Sequence, residues 1–203
     1  MAIRKFSTAS ISTGSKSSKF WDQQSYAVGD YDLIDTIAVT SLNVGTVSFA
    51  NIPQNYMHLQ LRASIRTDSN LYNYSSIYLY PNPATTTSYT VHQLYTEGAT
   101  GPSASGRGAG SDNYYLVQNL SGGLAPTYHF GSALIDIYNY TNTNHYKMMR
   151  SVGGYDNTSA GDGWLFMNSS IKTDNTNAIT QINAACDGNF EIGSIISLYG
   201  IRG

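Results

Sequence analysis

A chain of 203 residues, 41% of them apolar, is long enough to close one hydrophobic core, and its single cysteine, Cys186, excludes an intrachain disulfide. Charged residues make up only 12%, while 17 Tyr, 19 Gly and many Ser, Thr and Asn supply polarity through hydroxyls and amides. A formal net charge of -2 excludes a whole-chain attraction to nucleic acid or to an anionic membrane, and no run nears the ~18 apolar residues of a membrane span.

Residues 1–31 show no sustained period. Arg4, Lys5, Lys16 and Lys19 are the only charges before Asp22, so the first twenty-one residues carry +4 and the remainder -6. Ile3, Phe6, Ile11, Phe20, Trp21 and Tyr26 are scattered apolar anchors among Ser, Thr and Gly. The pattern predicts an extended basic anchoring arm, ordered by what it touches, with Phe6, Phe20 and Trp21 as contact points. No continuous apolar core of a secretory signal is present, which predicts synthesis in the cytoplasm.

From Asp32 the period becomes two. It is clearest in 57–66, where Met57, Leu59, Leu61, Ala63 and Ile65 share one face and His58, Gln60, Arg62, Ser64 and Arg66 the other. Further strands are predicted at 33–40, 45–50, 74–80, 88–95, 113–118, 130–138, 145–152, 163–171, 177–184 and 194–201, each bounded by turn-forming residues. The Gly-rich stretch 98–112 (GATGPSASGRGAGSD) predicts an exposed loop. Many short strands without a helical period predict an all-β, antiparallel sandwich over residues 32–203, with a jelly roll the preferred topology.

Chemistry-bearing patterns are sparse. His58, His92, His129 and His145 never fall at metal-ligand spacings, so no metal and no cofactor is expected. Asp156, Asp162, Asp174 and Asp187 lie among Asn and Gly and read as turns before they read as a calcium site. Cys186 follows Ile182 and Ala184 by even steps, as a small buried side chain would. No nucleophile with a base and no carboxylate pair stands out, so the expectation is a protein without catalysis.

Tyrosine is the one surplus: Tyr72, Tyr74, Tyr78, Tyr80, Tyr89, Tyr95, Tyr114, Tyr115, Tyr138, Tyr140, Tyr146 and Tyr155. Its ring gives contact area at low entropy cost and its hydroxyl bonds, which suits a recognition or subunit surface; it also simply suits strands. Tyr72, Tyr74, Tyr138, Tyr140 and Tyr155 are the candidate contacts.

Three stretches, IRKFSTASISTGSKSSKFWD, VSFANIPQNYMHLQLRASIRT and ISLYGIRG, together resemble a family of small tailed-bacteriophage virion proteins. The family pattern "IP..Y.HL.L" is matched by Ile52, Pro53, Tyr56, His58, Leu59 and Leu61, and the closing "LYGI" by Leu198–Ile201. The segment 130–154, with its "Y..TN" turn, is similar too, so the resemblance spans nearly the whole chain. It implies a structural role on the virion surface, with other capsid, neck or tail proteins as partners and no catalytic residues.

The expected function is therefore a virion structural protein, held by its arm and displaying a sandwich as a fibre or as a tail or neck appendage. A homo-oligomer, a trimer by preference, and a host-surface glycan or protein are the expected contacts, without nucleic acid or membrane insertion. A capsid decoration protein and a carbohydrate-binding module remain open as alternatives.

Overall fold

Where apolar side chains recur at every second residue the chain runs extended, because only a strand delivers them to one face. The computed structural model describes residues 30–69, 74–82, 89–97, 103–107, 115–123, 125, 128–156, 163–173 and 175–202. Among these it contains twelve strands: β1 (Tyr31–Ala38), β2 (Val44–Phe49), β3 (His58–Ile65), β4 (Tyr74–Pro81), β5 (Tyr89–Glu97), β6 (Ser103–Arg107), β7 (Tyr115–Ser121), β8 (Gly131–Tyr138), β9 (Lys147–Tyr155), β10 (Trp164–Lys172), β11 (Ile182–Phe190) and β12 (Ile195–Ile201). The first strand among the described residues starts at Tyr31. The anchoring-arm residues Arg4, Lys5, Phe6, Lys16, Lys19, Phe20 and Trp21 lie outside the described residues.

The strands form two antiparallel sheets, ordered β1-β12-β3-β8-β9-β10-β5-β6 and β2-β11-β4-β7. The quartets β1-β12-β3-β8 and β2-β11-β4-β7 interleave along the chain as the two Greek keys of a jelly roll do, which establishes the expected antiparallel sandwich. Two hairpins, β5–β6 and β9–β10, are added to it. They extend the first quartet sideways into an eight-stranded sheet.

The core lies between the sheets. Leu59, Leu61 and Ile65 of β3, Ile135 and Ile137 of β8, and Ile196 and Leu198 of β12 meet Val47 and Phe49 of β2, Ile77 and Leu79 of β4, and Ile182 of β11. Each such side chain, fully buried, contributes about 1.5–3 kcal/mol. The residues that carry the family resemblance also meet in space. Tyr56 lies over Gly200, where a Cβ would come within 2.4 Å of its ring, and the hydroxyl of Tyr140 donates to the carbonyl of Pro53. Ile52 and Leu198 enter the core, so these motifs fasten the end of β12 to the turn before β3.

Several expectations need correction. The stretch 98–112 is not all loop: Ser103–Arg107 pairs with β5 from Tyr95↔Ser103 to Val91↔Arg107. An edge strand needs only its main chain to pair, so the small residues of SASGR leave no periodic signal. The strand expected at 177–184 starts at Ile182, because the preceding loop is held by Asn82, which donates to the Ala178 carbonyl at 2.6 Å and accepts from the Thr180 amide at 2.8 Å. Met57 precedes β3 and is exposed. Arg66 is buried and not on the polar face, since the chain leaves β3 at Ile65 and Arg66 donates to the carbonyls of Gly123 and Ala125 at 3.2 and 3.0 Å.

Candidate interaction surface

Strand registry determines which side chains stand together on the outer face of the eight-stranded sheet, the face turned away from the core. Four rows cross it. The first runs Tyr31, Ile201, His58 and then Tyr138, Met148, Ile171, Thr90. The second is polar, Gln60, Asp136, Arg150, Ser169, His92, with Tyr199 and Leu33 at the β1 end. The third runs Thr36, Ser197, Arg62, Leu134, Val152, Met167, Leu94, and the fourth Ala38, Ile195, Ser64, Ser132, Gly154, Leu165, Thr96.

Large apolar side chains on this face are exposed. Leu165 is 52% exposed, Met167 47%, and Leu94, Met148, Val152, Ile171, Ile195, Leu33 and Tyr31 are exposed as well. Exposed apolar side chains thus stand on both sides of the polar row, which makes this face the candidate contact surface. Between the Val152–Leu134 ridge and the end of the sheet, the small residues Gly154, Ser132 and Ser64 leave a groove of about 820 Å³, flanked by Leu165 and Ile195. Gly154 must be small: a Cβ there would come within 2.0 Å of the Trp164 carbonyl oxygen.

Toward β1 the same face is aromatic and polar. The Arg62 guanidinium lies 4.5 Å from the ring centre of Tyr199 and 5.0 Å from that of Tyr31, and its Nε donates to Gln60 Oε1 at 2.8 Å. Gln60 Nε2 donates to Asp136 Oδ1 at 2.7 Å, and Arg150 binds Asp136 Oδ2 at 2.9 Å. Arg150 also stands 5.8 Å over the Tyr138 ring, which meets His58 edge-on at 5.3 Å. Burial first, and then the Asp136 carboxylate, push the Tyr138 hydroxyl pKa upward; the hydrogen bond to Asp136 raises that of Arg150. Asp136 pairs with Arg150, while the Arg62 guanidinium is held by two ring faces and the Gln60 amide, so the network presents fixed ring faces and one positive charge without an ionic partner in it.

Of the expected tyrosine contacts, Tyr138 stands on this face. Tyr140 and Tyr155 do not, and both are buried. Asn139 takes a left-handed backbone (φ 48°), which sends Tyr140 inward, and Tyr155 falls on the inner parity of β9 with Met149 and Ser151. Tyr72 lies outside the described residues, as does the side chain of Tyr74. Tyr31, Tyr199, Arg62, Asp136 and the Val152–Met167 ridge were not anticipated. A signal for the ridge exists in Met148-Met149 and Leu165-Phe166-Met167, apolar at both parities, as expected of strands covered on both faces.

Cys186 is half-buried against the core, and burial pushes its thiol up to about 12, which disfavours the thiolate at neutral pH. Asp187 accepts from the Tyr78 hydroxyl and, at 3.2 Å, from the Ser76 amide, which makes it part of the β11 bulge. Asp162 and Asp174 lie outside the described residues. Among the described residues no three His, Cys, Asp or Glu side chains converge as a metal site requires. No family model, curated protein or solved structure matches this chain.

Proposed function

We propose that this chain is a non-enzymatic structural protein of a tailed-phage particle, a jelly roll displayed as a fibre or as a tail or neck appendage. In this reading residues 1–31 anchor it, and the outer face of the eight-stranded sheet is its assembly surface. The observation that supports an assembly role is the exposed outer face, whose rows from β8 to β5 hold six of the exposed large apolar side chains, Met148 and Ile171 on one side of the polar row and Val152, Met167, Leu94 and Leu165 on the other. The phage assignment is supported by the resemblance of the three segments named above and of 130–154, whose residues Tyr56, Pro53, Gly200 and Tyr140 share one structural task.

The mechanism is mechanical. The arm supplies attachment, and joining several copies multiplies a modest contact, because the second binding event becomes intramolecular. Catalysis plays no part in it.

Cryo-electron microscopy of the purified phage, with mass spectrometry of its proteins, tests the reading. The expected result is density for the sandwich on tail or neck. Density over the head lattice would convert the appendage into a decoration protein, and absence from the particle would overturn the virion role. Deleting residues 1–31 should abolish incorporation; wild-type occupancy of the truncated chain would refute the anchor.

A further inference from the structure

We propose that the outer face of β8, β9, β10 and β5 is a two-fold interface between two copies of this chain, its axis parallel to the strands between β9 and β10. The proposal rests on the reading of this face as an assembly surface and names its occupant.

A surface that binds itself does so across a two-fold axis, and in a flat contact that axis lies in the interface plane. Registry limits its direction. An axis across the strands, along the polar row, would place Arg150 on Arg150 and Asp136 on Asp136, like charge on like charge. Moved by half a row, it would set this polar row against the apolar ridge; moved to the groove, it would leave half the face uncovered.

An axis along the strands has neither fault. Between β9 and β10 it lays β9 over β10 of the second copy, and β8 over its β5, so that every row meets itself. Val152 then meets Met167, Leu134 meets Leu94, and Leu165 enters the gap above Gly154. In the polar row Asp136 faces His92 and Arg150 faces Ser169, so no like charges oppose. Bulk faces space and apolar faces apolar, all from one sequence.

The area suffices. The four strands β8, β9, β10 and β5 are centred on that axis. At ~4.8 Å per strand and ~6.8 Å per row their four rows make a plane of roughly 520 Å², so the pair would bury about 1,000 Å², the lower bound of a specific interface.

Sedimentation velocity of the purified full-length chain tests this. The expected result is a two-chain species, weakened on the order of 100-fold by Val152→Asp or Met167→Asp, each of which buries an unpaired carboxylate. Leu42→Asp, at a 70% exposed position off the face, should leave it intact. Because a charged variant can fail through misfolding, a second measurement keeps native charge: in a Cys186→Ala background, Val152→Cys chains mixed with Met167→Cys chains should be joined 152 to 167 by a bismaleimide. A monomer, a trimer, a dimer indifferent to both aspartates, or no 152–167 product would each overturn the proposal. So would a monomer that dimerises only after residues 1–29 are removed, since the chain's own segment would then cover the face. A monomer in solution that still appears on particles refutes this interface alone; a dimer absent from particles refutes the virion role alone.

Discussion

Met148 and Met149 are neighbours on β9 with the same side chain, yet Met149 is fully enclosed and Met148 is 44% exposed. The same contrast holds on β10, between Phe166 inside and Leu165 and Met167 outside. On these strands the outer face is at least as apolar as the inner one, which also encloses Lys147, Ser151, Asn168, Ser170 and Lys172, yet only the inner face is covered by the described residues. In the jelly-roll quartet the second sheet closes the inner face, and the outer face toward β1 is polar and aromatic. Along β9, β10 and β5 the outer face carries exposed apolar side chains on either side of the polar row Arg150, Ser169 and His92. Apolar content therefore marks where covering is needed, and the described residues meet only part of that need.

The contrast breaks most sharply at the core. Ile135→Ala, at a fully enclosed position between the sheets, should cost about 2–5 kcal/mol, read as a lower urea midpoint at unchanged slope. A loss below ~1 kcal/mol would mean that the inner face is not the sealed layer described.

Next comes a polar group on the inner side. Lys147 is buried, and its Nζ donates to the carbonyls of Asn142, His145 (3.1 Å) and Thr176 (2.9 Å), tying the β8–β9 turn to the segment before β11. Lys147→Met keeps the volume and strands those carbonyls, so a loss of about 2–4 kcal/mol is expected. Burial, then the neighbouring Lys172 charge, lower the Lys147 pKa in the fold. The unfolded chain then binds the proton more readily, so the wild-type advantage over Lys147→Met should grow as pH rises toward the ordinary lysine value of 10.5. Urea titrations at stepped pH would show a shrinking advantage if the sign were wrong.

Cys186 has the opposite sign. Its thiol is held up to about 12 in the fold against an ordinary 9.0, so the native state keeps a proton that the unfolded chain releases. Stability should fall as pH rises past 9.0, by about 1.4 kcal/mol at pH 10 relative to Cys186→Ala. Iodoacetamide should label the native thiol far more slowly than the unfolded one; equal rates would contradict the burial.

Much of the inner face was legible in the sequence, because Leu59, Leu61 and Ile65 alternate with polar residues and alternation has one structural solution. Other features were not. Pairing of Ser103–Arg107 is main-chain chemistry. The inward turn of Tyr140 depends on the single left-handed residue Asn139, although Tyr138 two positions earlier faces out. The contact surface itself is spread over strands distant in sequence, so Arg62, Asp136, Arg150 and Tyr199 become one network only through registry. Apolar doublets at both parities of β9 and β10 were its one local trace.

The smallest expected effect sharpens the comparison most. Val152→Ala removes two methyl groups from an outer-face side chain that is 38% exposed, so in dilute protein the unfolding free energy should stay within about 0.5 kcal/mol of wild type. If a second copy covers this face, stability becomes concentration-dependent, because association adds to the folded state by mass action. The deficit of Val152→Ala should then widen as protein concentration is raised, while that of Ile135→Ala stays constant. Thermal melts of both variants at a dilute and a ~100-fold higher concentration decide it. Parallel shifts would mean that the outer face stays bare at both concentrations, and a widening gap at residue 152 alone would mean that the apolar rows are closed by another copy of the same rows.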